Sequence, residues 1–198
     1  MKQHKTRRQE YADETYQVLI GTAHTLFVSQ GFNKTSVDQV VTTARLTKGA
    51  LYHHFKNKEA LFAACYEQQV KQVADKLGQI TLESNCAWES TLQRCYAFLE
   101  IGKKHRSQAI PLQEAMTVLG WSQWREIDMR YTMGLVRESV ELLMNNGVFK
   151  QRSLDLVSEI IYGLMVETSM SIVRAKDKRK ALQESVDIVK GILESMKA

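Results

Sequence analysis

Side chains that can donate hydrogen bonds to phosphates or approach DNA bases lie close together in one short stretch of the chain. Tyr52, His53 and His54 carry hydrogen-bond donors on aromatic rings. Such donors can bind phosphate oxygens, which position a protein on a duplex without reading its sequence. Just before them, the segment 47–50 combines one cation, Lys48, with short side chains that allow close approach to base edges in the major groove. These are the residue types of a DNA-recognition helix.

A metal site or an active site would need other residues. Adjacent residues on a helix point about 100° apart, so His53 and His54 make a poor metal chelate. None of the histidines has a glutamate three residues before it, as di-iron bundles require, and no phosphate-binding loop of the Gly-x-x-x-x-Gly-Lys type is present. We therefore expect no metal, no cofactor and no enzymatic activity, and we keep an all-α cofactor-binding enzyme as an unlikely alternative.

The elements that position the stretch are short helices with local start signals. A first helix is predicted over roughly 13–29, with Gly31 as its stop. Ser36, with Gln39 three residues later, has the spacing of a capping box. The second helix then follows, although its run of β-branched residues at 40–43 opposes helix formation.

A tight turn at Ala44-Arg45-Leu46 leads into the recognition helix, which Thr47 can cap. Leu51 and Phe55 lie on its inner face. The two short helices and their turn predict a helix-turn-helix, whose second helix enters the major groove. Lys58 opens a fourth helix, where its charge and the free backbone N–H groups predict an anion site.

The rest of the chain also reads as helical, so we expect an all-α fold of about nine helices. Pro111 suits the first turn of a helix, and Asn145-Asn146-Gly147 predicts a helix end. The last two helices are predicted at about 153–175 and 178–196. Residues 1–56 should form the DNA-binding domain, and residues 57–198 a ligand-binding and dimerisation domain.

Charge and composition agree with these expectations. Of the net charge of +5, four units come from residues 1–60, the pattern of a nucleic-acid-binding head on a nearly neutral body. Lys2, Lys5, Arg7 and Arg8 form a basic arm, either a solvated tail or a contact to phosphates or the minor groove.

No run approaches the ~20 apolar residues that cross a bilayer, and no secretory signal is visible. Three cysteines without Cys-x-x-Cys spacing indicate a reducing, cytoplasmic setting.

Residues 14–66 closely resemble the DNA-binding domain of the tetracycline-repressor (TetR) family of bacterial transcriptional regulators. The matching segments are Gly31-Phe32, Thr35-Ser36-Val37, Thr47-Lys48-Gly49-Ala50-Leu51-Tyr52-His53-His54-Phe55 and Asn57-Lys58-Glu59-Ala60-Leu61. Arg45 replaces the glycine that is usual in the turn, and Val41 replaces the usual alanine. Both differences bear on how the two helices cross, and so on which DNA sequence the protein prefers. The region 110–149, through Leu119-Gly120-Trp121-Ser122-Gln123-Trp124-Arg125, is similar to a common version of the family's ligand-binding body.

The resemblance implies a homodimer that binds double-stranded operator DNA and releases it when a small apolar or amphipathic effector binds. The predicted DNA-binding residues are Thr35, Ser36, Thr47, Lys48, Gly49, Ala50, Tyr52, His53, His54 and Lys58. A DNA-organising protein without ligand control is the alternative.

An effector cavity would need aromatic rings and methionines as adaptable walls. The predicted ligand-binding residues are Tyr96, Met116, Trp121, Trp124, Tyr131, Tyr162, Glu167 and Met170. Plain core packing is the competing interpretation for most of them. Glu167 interrupts an apolar run, so it either pairs across an interface or opposes a cationic ligand.

The last helix has an apolar seam that steps by four and three residues, typical of packing between helices. Its members are Leu182, Val186, Val189, Leu193 and Met196. The partner seam would be Val157, Ile161, Leu164 and Thr168. The chain can satisfy this seam internally, but the resemblance implies that these two helices form the dimer bundle.

Overall fold

A computed structural model describes residues 6–80, 86–104 and 109–198, with the side chains of 102–104 left aside. Within these ranges the chain is helical and contains no strand, so the predicted all-α fold is confirmed. The helices are α1 (Arg7–Gln30), α2 (Val37–Ala44), α3 (Lys48–His54), α4 (Lys58–Ile80), α5 (Ala87–Lys104), α6 (Leu112–Asp128), α7 (Gly134–Asn145), α8 (Leu154–Arg174) and α9 (Lys178–Glu194). A π-helical turn, Met129–Met133, joins α6 to α7.

The chain divides into two compact units. The first comprises Met1–Gln69 and Arg106–Trp121, and the second comprises Val70–His105 and Ser122–Ala198. The functional boundary expected after residue 56 stays a prediction, because a division by packing does not by itself locate functions.

An aromatic cluster forms the centre of the first unit. Phe27 of α1, Phe32 of the following loop and Phe62 of α4 are all buried, with ring centroids 5.1–5.9 Å apart. Phe62 packs edge-to-face against the other two rings, which are stacked on each other, and such aromatic pairs add about 0.5–1.5 kcal/mol each beyond the burial of area. Leu19 of α1 and Leu51 of α3, both fully buried, extend the same core.

The first helix begins earlier than predicted. Thr6 and Gln9 form a capping box, in which the Thr6 N–H donates to Gln9 Oε1 at 2.9 Å. Arg7 and Arg8 therefore lie in the first turn of α1 and not in a solvated tail, and their contact with phosphates or the minor groove stays a prediction. The other arm residues, Lys2 and Lys5, lie outside the described residues.

The backbone departs from regular helix at two places within 112–145. Gly120 has φ 73° and ψ 161°, which breaks α6. The helical stretch that ends at the predicted Asn145-Asn146-Gly147 signal is divided by the π-helical turn. Its predicted end is confirmed, since Gly147 follows Asn146 with φ 67° in the left-handed region that favours glycine.

The core of the second unit is built from α5, α7, α8 and α9. Its buried members include Leu99, Val140, Leu143, Val157, Ile161, Met165, Leu182, Val189 and Leu193. The seam predicted on the last helix is thus satisfied largely inside the chain, against residues such as Val157 and Ile161. The assignment to a dimer interface is corrected for the buried members of the two seams, which are Val157, Ile161, Leu182, Val189 and Leu193.

By length and composition alone, α8 is the one helix in the described part of the chain that could cross a membrane, with a mean hydropathy of 1.4. This is weak evidence, because a core helix has the same composition. One face of α8, which includes Ile161, Met165 and Ile172, is buried in the second unit.

Candidate nucleic-acid interface and apolar cavity

The start of α2 is fixed by reciprocal hydrogen bonds. The Gln39 N–H donates to Ser36 Oγ at 3.1 Å, and the Ser36 N–H donates to Gln39 Oε1 at 2.9 Å. This capping box confirms the one predicted, and such a cap is worth about 1 kcal/mol. Ser36 therefore has a structural role in addition to its predicted contact with DNA.

The turn between α2 and α3 is a Schellman motif. The Leu46 N–H donates to Val41 O at 2.9 Å and the Arg45 N–H donates to Thr42 O at 3.1 Å. Arg45 takes the left-handed conformation of this motif, with φ 55° and ψ 39°, although glycine is the residue that adopts it without strain. The turn thus keeps the geometry of a glycine turn while carrying an arginine.

The recognition helix α3 is amphipathic, as predicted. Thr47 caps it by accepting the Ala50 N–H at 3.1 Å. Leu51 is fully buried and Phe55, just after the helix, is 5% exposed. The opposite side carries the exposed residues Lys48, Gly49, Tyr52 and His53, with Ala50 partly buried beside them.

Lys48 connects the two helices of the motif. Its Nζ lies 2.7 Å from Asp38 Oδ1 in the first turn of α2, and both side chains are well exposed. The hydrogen bond to the Asp38 carboxylate, followed by the charge of that group, raises the pKa of Lys48. Exposed ion pairs contribute only about 0–1 kcal/mol, so a phosphate can displace this one.

His54 packs on the first helix instead of projecting fully into solvent. Its ring centroid lies 5.8 Å from that of Tyr16 in an edge-to-face arrangement, and 5.2 Å from that of His53. Burial, together with the neighbouring His53, lowers the pKa of His54. This shift favours the neutral imidazole, which can donate a hydrogen bond to a phosphate without adding a charge.

The structure gives Lys58 and Thr35 roles that differ from the predicted ones. Lys58 Nζ donates to Phe32 O at 2.9 Å and to Thr35 O at 3.0 Å, and it lies 4.0 Å from the centre of the Phe32 ring. The ammonium thus ties α4 to the loop before α2, and its predicted contact with an anion stays a prediction. Thr35 is 1% exposed and donates to Gly31 O at 2.9 Å, which leaves its side chain no open face for DNA.

Two side chains outside the predicted site lists, those of Glu114 and Gln69, join distant segments of the first unit. Glu114 Oε1, at the start of α6, accepts the Phe32 N–H at 2.7 Å. Gln69 at the end of the α4 segment accepts the Ile110 N–H at 2.8 Å and donates to Ile110 O at 3.0 Å. These contacts join segments that lie 41 and 82 residues apart in the sequence, so no local sequence pattern predicts them.

The second unit contains an apolar cavity of about 60 Å³ among α4, α5, α7, α8 and the π-helical turn. Its lining residues are Leu77, Thr91, Arg94, Cys95, Phe98, Thr132, Leu135, Val136, Ser139, Val140, Leu143, Ile161, Tyr162, Met165 and Val166. A cavity holds one water for each ~10–15 Å³ of such space, so this one has room for about four to six waters.

Tyr162 is the one predicted ligand-binding residue that lines this cavity. Trp124 is fully buried elsewhere, whereas Trp121 and Tyr96 are 61% and 47% exposed. Glu167 is exposed and pairs with Arg174 at 2.6 Å, so it lies outside this cavity. The remaining three, Met116, Tyr131 and Met170, are partly buried and are not among its lining residues.

Polar groups meet the cavity at two places. Arg94, 6% exposed, donates from Nη1 to Leu135 O at 2.8 Å and to Ser139 Oγ at 2.9 Å. The Tyr162 hydroxyl donates to Asp128, which is itself buried. Sequence reasoning missed Arg94, because an arginine on a helix is usually exposed.

Within the described ranges, no group of three or more His, Cys, Asp or Glu side chains could hold a metal ion.

Comparison with known proteins shows what the two parts of the chain resemble. Residues 19–65 match the model for bacterial regulatory proteins of the tetR family, and residues 88–196 match the model for a tetracyclin repressor-like C-terminal domain. The transposon Tn10 TetC protein of Escherichia coli is 30% identical over 195 residues, which is 98% of each chain. The probable acrEF/envCD operon repressor of Escherichia coli K12 is 28% identical over 68% of this chain and 59% of its own length.

Solved structures agree with these matches. A TetR-family transcriptional regulator from Pectobacterium atrosepticum superposes with a TM-score of 0.84 at 29% identity, covering 98% of each chain. The acrEF/envCD relative is thus an operon repressor, and the protein of the solved structure is a transcriptional regulator. Because one family model covers more than half of the chain and the TetC protein matches over nearly all of it, the chain belongs to the TetR family of bacterial DNA-binding transcriptional regulators.

Proposed function

We propose that this regulator is a homodimeric repressor that binds double-stranded operator DNA and is released by a small apolar or amphipathic effector. The observation that supports it most directly is the capped, buried-on-one-side helix α3, which presents Lys48, Tyr52 and His53 on its exposed side. Repression, rather than activation, is proposed because the acrEF/envCD relative is an operon repressor. A cytoplasmic location accompanies the proposal, because operator DNA lies there in bacteria.

The DNA contacts divide by position along α3. Its first turn, with Gly49 and Ala50, has short side chains that can approach base edges, and Lys48 can exchange Asp38 for a phosphate. Tyr52, 52% exposed, and His53 lie one turn later and can donate to the backbone of the duplex. The hydroxyl oxygens of Ser36 and Thr47 accept hydrogen bonds as helix caps. We therefore propose that these two residues contact DNA only as hydroxyl donors.

Dimerisation is supported by a second apolar surface on the last two helices. We call it the outer face: Leu156 and Ile160 on α8, with Ile188 and Ile192 on α9, each 36–61% exposed. Gly163 lies one turn beyond Ile160, and a methyl group built on it would meet nothing within 4 Å. Exposed apolar residues that cluster on two neighbouring helices mark an interaction surface. We propose that two copies bury their outer faces against each other in a four-helix bundle.

Effector control requires that the effector prefer one conformation over another. The cavity supports such a preference because of its size. A drug-sized ligand needs roughly 300–1,000 Å³, so its binding would displace the walls of the cavity of about 60 Å³ and favour a different conformation. Two helices, α4 and α6, each run from the first unit into the second along the chain. A displacement in the second unit can therefore be transmitted to the DNA-binding helices, and the spacing of about 34–36 Å between half-sites would be lost.

The test compares Tyr52→Ala with Tyr96→Ala. Both tyrosines are about half exposed, and Tyr96 lies on α5 with its hydroxyl 3.3 Å from Glu100 of the same helix. A duplex selected from random sequence by the wild-type protein serves as the operator. We expect Tyr52→Ala to weaken binding by roughly tenfold, since a net hydrogen bond worth about 0.5–1.5 kcal/mol disappears from each half-site. Tyr96→Ala should bind as the wild type does.

Equal affinities of both variants, with thermal unfolding unchanged, would contradict the assignment of α3 to the groove. The alternative DNA-organising function predicts weak sequence preference and strong salt dependence. A competition between the selected duplex and random DNA at one salt concentration distinguishes the two functions. A repressor stays bound to the selected duplex, whereas an organising protein exchanges it for random DNA.

A further inference from the structure

A carboxylate lies beside the start of the recognition helix, on the surface of the first unit. The side chain of Asp38, in the first turn of α2, is 66% exposed, and its Oδ1 lies 2.7 Å from Nζ of Lys48, the first residue of α3. A negative charge at this place opposes the approach of DNA phosphates, which supply much of the affinity of DNA-binding proteins. The acid therefore weakens binding to DNA in general.

Stabilisation of α2 explains only part of this arrangement. An acid in the first turn of a helix interacts favourably with the free N–H groups there, and Asp38 has that position. Glu59 has the same position in α4 and is also exposed. Asp38 in addition holds the cation that opens α3, and the N-terminal residues of a recognition helix are those that contact base edges. The pair thus brings a hydrogen-bond donor and an acceptor together to the place where bases are read.

We propose that Asp38 is a specificity-determining residue and that the Lys48–Asp38 pair reads one G·C base pair in each half-site. Lys48 donates to O6 and N7 of the guanine, and the Asp38 carboxylate accepts a hydrogen bond from the N4 amino group of the cytosine. These are the usual base partners of the two side chains in the major groove. The inference rests on the placement of α3 in the groove, which belongs to the proposed function.

The spacing of the two groups matches the edge of this base pair. Guanine O6 and cytosine N4 are hydrogen-bonded to each other, so they lie about 2.9 Å apart. Lys48 Nζ and Asp38 Oδ1, 2.7 Å apart, offer the complementary donor and acceptor at nearly the same spacing. Gly49, the next residue of α3, is exposed and has no side chain that could keep the pair away from the bases. The pair can therefore meet the base edge without being broken.

The number of ammonium protons favours a G·C pair over an A·T pair. An ammonium has three protons, and the contact with Asp38 uses one of them. Guanine presents two neighbouring acceptors, N7 and O6, for the other two protons, and the N4 donor of cytosine follows for the carboxylate. Adenine presents a single acceptor, N7, before its N6 donor. When the carboxylate accepts from N6, one proton of the ammonium is left without an acceptor on the adenine.

On duplexes that lack this base pair, Lys48 can still exchange Asp38 for a phosphate, because an exposed ion pair is weak. The carboxylate of Asp38 then loses its cation and repels the DNA backbone. Asp38 thus weakens binding to other sequences more than it weakens binding to the operator, which is one way in which a protein gains specificity.

The experiment replaces each base pair in one half-site of the selected duplex in turn. Dissociation constants are measured at one salt concentration for the full-length wild type, Asp38→Ala and Glu59→Gln. Glu59→Gln is the matched control, because it removes an exposed first-turn acid from the same unit. In the wild type we expect a G·C pair whose replacement by A·T weakens binding about tenfold or more. Asp38→Ala should reduce that factor to about two- to threefold, since Lys48 then moves to a phosphate. Glu59→Gln should leave the factor unchanged.

A surface counter-ion without a role in reading would behave differently. Asp38→Ala would then strengthen binding to every duplex by the same factor and keep the wild-type profile of base preferences. That result overturns the inference. A preference that Asp38→Ala loses only at an A·T pair overturns it as well.

Lys48→Ala provides a second, independent test. It should lose the preference at the same G·C pair, and the double variant Asp38→Ala with Lys48→Ala should lose no more than Lys48→Ala alone. Two residues that act as one unit are not additive, whereas residues that act separately are. Additive losses in the double variant contradict a joint reading of the base pair.

The wild-type profile distinguishes this inference from the proposed function. A wild type that shows no preference at any base pair contradicts both the repressor proposal and the inference. A wild type with clear preferences that Asp38→Ala leaves intact contradicts the inference alone.

Discussion

Replacing Arg45 by glycine should stabilise the protein, although it removes a larger side chain. Arg45 has φ 55° and ψ 39° in the turn of the helix-turn-helix, and its side chain is exposed. An L-residue pays roughly 1–2 kcal/mol in this left-handed conformation. Glycine avoids that strain but loses about 0.4–1 kcal/mol through the greater freedom of the unfolded chain. The free energy of unfolding should therefore rise by about 0.5–1 kcal/mol.

The matched control is Arg45→Ala, which removes the same charge and the same exposed side chain but keeps the Cβ atom. For a chain of this size 1 kcal/mol corresponds to about 2–4 °C in Tm, so the glycine variant should melt roughly 1–4 °C above the alanine variant. Thermal unfolding followed by circular dichroism at one fixed protein concentration measures the difference, since the proposed dimerisation would make Tm depend on concentration. If glycine and alanine melt together, backbone strain at this turn is refuted.

Two further predictions concern the outer face and the accessibility of the three thiols. Ile188→Glu, on the outer face, should sediment as a monomer at micromolar concentration, while Val18→Glu at a similarly exposed position on α1 should stay dimeric; a dimeric Ile188→Glu would rule out this interface. Ellman's reagent at pH 8 should react quickly with one thiol per chain, that of the exposed Cys86. Burial raises the pKa of Cys65 to about 12 and that of Cys95 to about 11, so their thiolates are scarce, and a second fast thiol would contradict this burial.

Features that depend on neighbouring residues could be predicted from the sequence. The Ser36–Gln39 capping box, the Thr47 cap and the left-handed Gly147 each involve residues within a few positions of one another. Their physical basis is the hydrogen bonding of helix ends, which few residue types can satisfy. The inner face of α3 was predictable for a similar reason, because Leu51 and Phe55 lie four residues apart on one side of a helix.

Contacts between distant segments could not be predicted in this way. Lys58 was expected to bind an anion, yet its ammonium binds carbonyl groups 23 and 26 residues earlier in the chain. Likewise, of the predicted ligand-binding residues only Tyr162 lines the cavity described here, because aromatic residues and methionines fill a core and a pocket equally well.

The chain's own residues thus determine that it is all-α, where the short helices begin and end, and which helix presents Lys48 and Tyr52 outward. Tertiary structure alone decides which of the two apolar faces of α9 packs inside the chain. Leu182, Val189 and Leu193 are buried, while Ile188 and Ile192 remain exposed. It also decides that Arg94 reaches a cavity. The physical reason is that helical periodicity records the faces of an element, whereas the partner of each face is chosen by packing between segments far apart in sequence.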